Sequence, residues 1–195
     1  MRRALVIDDH EPSRTRLAAI LRERGYEIVG EGATGKSAIV FAHTATPDVI
    51  LMAVGLPDID GIEAAHEIIQ SKPLPIVLIT SHSDGATIER AKSAGVMAYL
   101  LKPLRGEELR PTIELAISRF QEFTSLREEN STLKETLEAR KIIERAKGLL
   151  MEQRRLSEEQ AYSLIKKTSM NMRRPMAEVA QAIILAGGLL ANDKS

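Results

Sequence analysis

The 195-residue chain has no cysteine and no tryptophan, and aromatic residues make up only 3% of it. Without cysteine there are no disulfides and no thiolate metal sites. Stability has to come from an aliphatic core, for which an apolar content of 44% suffices. No apolar run approaches the ~20 residues of a membrane-spanning helix. Arg2 and Arg3 precede only a short apolar stretch, which reads as a first strand rather than a secretion signal. The expected location is therefore the cytoplasm, with no membrane partner. The four histidines, His10, His43, His66 and His82, show no metal-ligand spacing and are assigned no role. Net charge is absent as well, with 27 Lys/Arg against 27 Asp/Glu, but the balance is not local. Glu138 to Leu185 holds ten basic and six acidic residues, a net of +4. A basic C-terminal part points to a polyanion partner there.

The length fits one large domain or two small ones. Five short apolar runs, Ala4–Ile7, Tyr26–Val29, Val49–Met52, Ile76–Ile79 and Met97–Leu101, have the length of buried strands. Helical spacing separates them: Leu17, Ile20 and Leu21, then Ile39 with Phe41, then Ile62, Ala65 and Ile69, and more weakly Ile88 and Ala91. This alternation predicts βαβ units and a five-stranded parallel, doubly wound α/β domain, with sites in loops at the carboxyl ends of the strands. From about Gly106 a helical pattern runs to about Met151, with Pro111 near its start and no glycine before Gly148. Within it Leu126, Asn130, Leu133 and Leu137 follow the 4–3–4 spacing of a short coiled-coil seam. Asn130 takes an a position, where a polar residue favours a parallel dimer. A helix packing on its own domain is the alternative. A small three-helix bundle is expected after it. Ser157 to Gln160 is a capping box, Pro175 suits the first turn of a last helix, and Gly187-Gly188 is expected to end that helix. The expected domains are 1–120, a linker helix over 121–137, and 138–195.

Asp8-Asp9 follows the first strand. Adjacent carboxylates there repel each other unless a hard cation such as Mg²⁺ joins them, or unless one merely caps the next helix. The third strand ends at Ala53, the fourth at Thr80 and the fifth at Lys102-Pro103. An ammonium and a hydroxyl beside a carboxylate pair suit a phosphoryl group, with Lys102 and Thr80 as its partners, and a cis bond at Pro103 to aim Lys102. The pair Asp8-Asp9, the stretch PDVILMAVGLPDIDG from Pro47 to Gly61, Thr80, Tyr99 and Lys102-Pro103 resemble a response-regulator receiver domain. The resemblance implies that the position of Ala53 is the aspartate that accepts phosphate from a sensor histidine kinase. It implies Mg²⁺ on Asp8, Asp9, that aspartate and the carbonyl of Gly55, with Thr80 and Tyr99 as the switch pair. Alanine takes no phosphate and ligates no metal, so phosphorylation at 53 is not expected and Mg²⁺ binding is weakened. Either the chain is a natural pseudo-receiver or an Asp→Ala change has blocked it. Asp58 and Asp60, in the next loop, lack the alignment for phosphoryl transfer.

Gly30 to Ser37 also satisfies the phosphate-loop pattern GxxxxGK[ST] between a strand and a helix. That reading, a nucleotide-binding enzyme, is weak. Glu31 puts negative charge into the cradle, and the neighbouring strand ends in Ala53 instead of a metal-binding acid.

Residues from about Glu138 resemble the ANTAR domain of transcription antiterminators. The resemblance rests on Ala146 to Met151, Ser157 to Tyr162, Met170 to Met176 and Val179-Ala180. The two-part architecture looks like antiterminators of the ethanolamine-utilisation type, which implies binding to paired RNA hairpins in an mRNA leader. Lys147, Lys166, Arg173 and Arg174, with Lys141, Arg145 and Lys167, are candidate phosphate contacts. Tyr162 is a candidate stacking platform, and Gly148 a point of close backbone approach. The chain thus reads as a regulator and not an enzyme. The alternatives are a DNA-binding response regulator, for which no helix-turn-helix spacing is found, and a pure interaction protein that uses the coil.

Overall fold

The computed structural model describes residues 1–81 and 85–192; His82 lies outside them. Five strands alternate with helices in the first part: β1 (Arg2–Ile7), α1 (Glu11–Glu23), β2 (Tyr26–Gly32), α2 (Gly35–Thr44), β3 (Val49–Ala53), α3 (Gly61–Ser71), β4 (Ile76–Thr80), α4 (Gly85–Ser93) and β5 (Ala98–Leu101). Three helices follow, α5 (Gly106–Arg154), α6 (Glu158–Met172) and α7 (Met176–Asn192). The contacts form two compact units, one ending at Thr124 and the second beginning at Ser125.

The sheet is wholly parallel in the order β2-β1-β3-β4-β5. Successive side chains of a strand face opposite layers, and the core divides accordingly. Ala4, Val6, Val49, Leu51, Val77 and Ile79 pack with Leu17 and Leu21 of α1 and Leu109 and Ile113 of α5. Leu5, Ile7, Ile50, Met52, Ile76 and Leu78 pack on the other face, against α2, α3 and the α4 region. With helices on both faces, β1, β3 and β4 read as continuous apolar runs. In α2 the tightest contacts come from Ala38 and Ala42, while Ile39 and Phe41 are only partly buried. Small residues let that helix lie close to the sheet.

Two expectations need correction. The fifth apolar run is not a buried strand: β5 is an edge, only Leu100 is buried, and Tyr99 and Leu101 are each 44% exposed. Apolar content alone does not reveal that a strand lacks a neighbour on one side. Nor does Gly187-Gly188 end the last helix, since α7 continues to Asn192. Leu189, Leu190 and Ala191 are good helix formers that favour continuing the helix past them.

In the second unit Ala146 and Leu150 of α5 pack with Ala161 and Ile165 of α6 and Val179 and Ala180 of α7. The capping box is formed: Gln160 N–H donates to Ser157 Oγ at 3.2 Å and Ser157 N–H to Gln160 Oε1 at 2.9 Å. Helix α6 ends at Arg173, whose φ of 52° places it in the left-handed region. No described helix is long and apolar enough to cross a membrane.

Candidate functional site

Register sets the geometry at the carboxyl edge of the sheet. Ile7 pairs with Met52 and Ala53 with Ile79. The residues just after β1 and at the ends of β3 and β4 therefore lie side by side, at the point where the strand order reverses. Asp8 is 1% exposed there. Its Oδ2 accepts from Lys102 Nζ at 2.7 Å and its Oδ1 from the His10 N–H at 3.0 Å. The Lys102–Pro103 bond is cis, and the Lys102 N–H donates to the Thr80 carbonyl at 2.8 Å, tying the ends of β4 and β5 together. Thr80 is nearly buried, Asp9 is exposed, and Tyr99 stands on exposed β5. Neither acid is the cap of α1. That is His10, which accepts from the Ser13 N–H.

Ala53 closes β3 at 3% exposure and places a methyl group, not a carboxylate, at this edge. Lys102 already neutralises Asp8. Among the described residues no three His, Cys, Asp or Glu side chains are grouped to hold a metal ion. Asp8, Asp9 and the Gly55 carbonyl are hard oxygen donors, but with one carboxylate engaged and none at 53 they do not fit a firmly held Mg²⁺.

The loop acids have structural tasks that sequence reasoning missed. Asp58 accepts from the backbone N–H groups of Gly35, at 2.7 Å, and Lys36, at 3.0 Å. It thus occupies the N-terminus of α2, where a phosphate loop would hold its nucleotide. Gly35 is required by packing: a Cβ there would lie 2.4 Å from Ile59 Cγ1. Ser37 completes a capping box with Thr34, and Glu31 pairs with Arg22 at 2.9 Å. The motif is built as a helix cap with its anion supplied from within the chain. Asp60 caps α3 through the Ile62 N–H at 2.6 Å and pairs with Arg90 at 2.7 Å. No local pattern announces Asp58, because its partners lie 22 and 23 residues away.

Backbone donors, the Lys36 N–H foremost, hold the Asp58 carboxyl at about 2, below its ordinary 3.8. A depressed carboxyl stabilises the fold above its unfolded value and stops doing so as pH falls through its folded one. Between pH 4 and 2, Asp58→Asn is expected to flatten the fall in melting temperature, measured by circular dichroism. An unchanged acid slope would count against the cap.

In the second unit one candidate RNA contact is already engaged within the chain. Lys147 is not a free cation. Its side chain is 8% exposed, and Nζ donates to Glu144 at 2.9 Å and Glu158 at 2.7 Å, joining α5 to α6. Hydrogen bonds, first to Glu158 and then to Glu144, raise its pKa, and Lys147 in turn lowers that of Glu158. Lys166, Lys167, Arg173 and Tyr162 are exposed. Arg174 is exposed too, with a long contact to Glu178 at 3.3 Å. Gly148 faces open space, with no atom within 4 Å of where a Cβ would stand. Among the described residues no neighbouring helix requires it.

The seam residues Leu126, Leu133 and Leu137 are each more than half exposed, and Asn130 is exposed beside them. Among the described residues nothing in the second unit covers them. Phe123, three residues before Leu126 and 54% exposed, continues the same spacing.

Comparison with known proteins agrees with this division. Residues 4–114 match the response regulator receiver domain and residues 131–184 the ANTAR domain. The transcriptional regulatory protein PdtaR of Mycobacterium tuberculosis H37Rv is 45% identical over 183 residues, spanning 94% of this chain and 89% of that protein. Among solved structures, the signal receiver domain of a modulated diguanylate cyclase from Desulfovibrio desulfuricans G20 is similar. Its TM-score is 0.58 at 31% identity, covering 62% of this chain and 97% of that one. The response regulator domain of Thermotoga maritima CheB gives 0.57 at 27% identity, covering 60% and 97%. A buried acid paired with a lysine at the switch point of a five-stranded sheet, followed by a three-helix unit, thus has its counterpart in a regulatory family, and this chain belongs to the two-component response regulators that join a receiver domain to an ANTAR domain.

Proposed function

We propose that the chain is an RNA-binding transcription antiterminator, of the ethanolamine-utilisation type in its architecture, that acts without phosphorylation at residue 53. Its ANTAR unit engages paired hairpins in an mRNA leader, and two copies join through Leu126, Asn130, Leu133 and Leu137. A sensor histidine kinase would be a phosphate donor only to a chain with aspartate at 53.

The observation that supports this best is the outer face of α6. Tyr162 and Lys166 stand one turn apart on an exposed stripe of α6 that flanks the buried Ala161 and Ile165, and the exposed Arg173 caps the end of the helix. An exposed ring, 44% accessible, in line with cations suits an unpaired base flanked by phosphates. The cations lack the helix-turn-helix spacing that would set a recognition helix into duplex DNA. Cytoplasmic action on nascent RNA follows from the same reading.

In a gel shift with a two-hairpin leader RNA, Arg173→Ala with Arg174→Ala is expected to weaken binding by at least about tenfold. The salt dependence should become shallower by the two lost phosphate contacts. Duplex DNA at equal salt should bind only nonspecifically. Tight, RNA-independent binding to DNA would overturn the reading in favour of a DNA-binding regulator.

A further inference from the structure

At the amino-terminal edge of the sheet, opposite the Asp8–Lys102 pair, is a polar cleft of about 350 Å³ lined by Arg2, Arg24, Gly25, Tyr26, Arg110 and Glu114. Arg2 opens β1 and Tyr26 opens β2, Arg24 caps the end of α1, and Arg110 and Glu114 stand on the first turns of α5. Three guanidinium groups therefore meet one carboxylate. Glu114 is fully engaged, by an ion pair with Arg2 and by the Tyr26 hydroxyl, which donates to Oε1 at 3.2 Å. Among the described residues neither Arg24 nor Arg110 has an ion-pair partner.

Surface arginines are usually solvated singly. Here two uncompensated ones border a concavity whose size falls in the range of small-ligand sites. Their placement is held by the fold. Tyr26 is 4% exposed and anchors the floor. Arg24 Nη2 lies so close to Gly106, the first residue of α5, that a Cβ there would approach it to 3.2 Å. Planar guanidinium forks match phosphate oxygens in pairs, and the start of α5 adds the positive end of a helix dipole. The one acid of the lining, Glu114, is engaged by Arg2 and the Tyr26 hydroxyl.

We infer that this cleft binds a small phosphorylated anion through Arg24 and Arg110, the phosphate being a terminal one with a double negative charge. The site is separate from the Asp8–Lys102 pocket, about 20 Å away along the six residues of β1. It touches α5 directly, so an anion there fastens the start of that helix to β1 and β2.

The test titrates the full chain with pyrophosphate at constant ionic strength, reading heat and backbone amide shifts. Saturable binding with shifts centred on Gly25, Tyr26 and Arg110 is expected. Arg24→Gln with Arg110→Gln should weaken it by at least about tenfold, the loss of two charge-assisted contacts. Glu114→Gln should tighten it several-fold, since it removes the one negative charge and releases Arg2. A short RNA without terminal phosphate is the second probe and should leave these amides unmoved. The proposal is overturned if binding does not saturate, if the double variant binds as the parent does, or if Glu114→Gln weakens binding. Shifts confined to Lys166–Arg174, or the RNA moving the cleft amides, would overturn it equally.

Discussion

An Ala53→Asp variant is expected to take up one phosphoryl group from a small phosphodonor in magnesium-containing buffer, where the chain with Ala53 takes none. The reason lies in register. Residue 53 ends β3, level with the residue that follows β1 and beside the end of β4. A carboxylate introduced there joins Asp8 and Asp9 and faces a lysine already held at the pocket by its 2.7 Å bond to Asp8. Three neighbouring carboxylates repel one another far more than two, which raises the affinity for a divalent cation. Intact-mass measurement reads the outcome directly. Adding Lys102→Ala to the variant should lower the yield, because the cation that neutralises phosphate oxygens is gone. If Ala53→Asp remains unlabelled while an ordinary receiver domain labels in parallel, the pocket is not the phosphorylation site proposed. Oligomeric state and RNA binding of the two chains, with and without donor, then separate two situations. If the Ala53 chain binds RNA fully, its output is independent of phosphate. If only the donor-treated Ala53→Asp chain binds, alanine has blocked a switch.

Ile165→Ala is expected to melt the second unit and abolish its RNA binding while leaving the sheet domain folded. Ile165 is completely buried in a core of six buried residues. Truncating a buried isoleucine costs about 2–5 kcal/mol. A unit of this size has a total stability of only about 4–10 kcal/mol, so the loss is a large share of it. Hydrogen exchange read by peptide resolves the two units within one chain. Protection in α6 and α7 should fall, and protection in β1, β3 and β4 should stay. Unchanged protection across α6 and α7 would show that the small core does not depend on Ile165.

Much of the fold was readable from local pattern. Apolar runs of four residues became β1, β3 and β4, and the Ser157 capping box starts α6 at its predicted place. These signals work because strand alternation, helix spacing and caps involve residues a few positions apart. What local pattern did not reveal has one cause. β5 is apolar in sequence but exposed on one edge, because nothing in its own residues says how many neighbours it has. Lys147 looks like one more cation in a basic run. Only the packing of α5 on α6 brings Glu158 to it, 11 residues further on.

The sequence by itself determined the parts of this protein: a parallel α/β domain, a long helix, a small basic helical unit, and alanine at residue 53. Tertiary structure alone decided which charges meet. Lys102 reaches Asp8 across 94 positions, Asp58 closes the start of α2 across 22 and 23, and Glu114 takes Arg2 across 112, leaving Arg24 and Arg110 without ion-pair partners among the described residues. Propensity and periodicity are local. Electrostatic pairing acts over a few ångströms of space, and only the folded chain brings such distant residues that close.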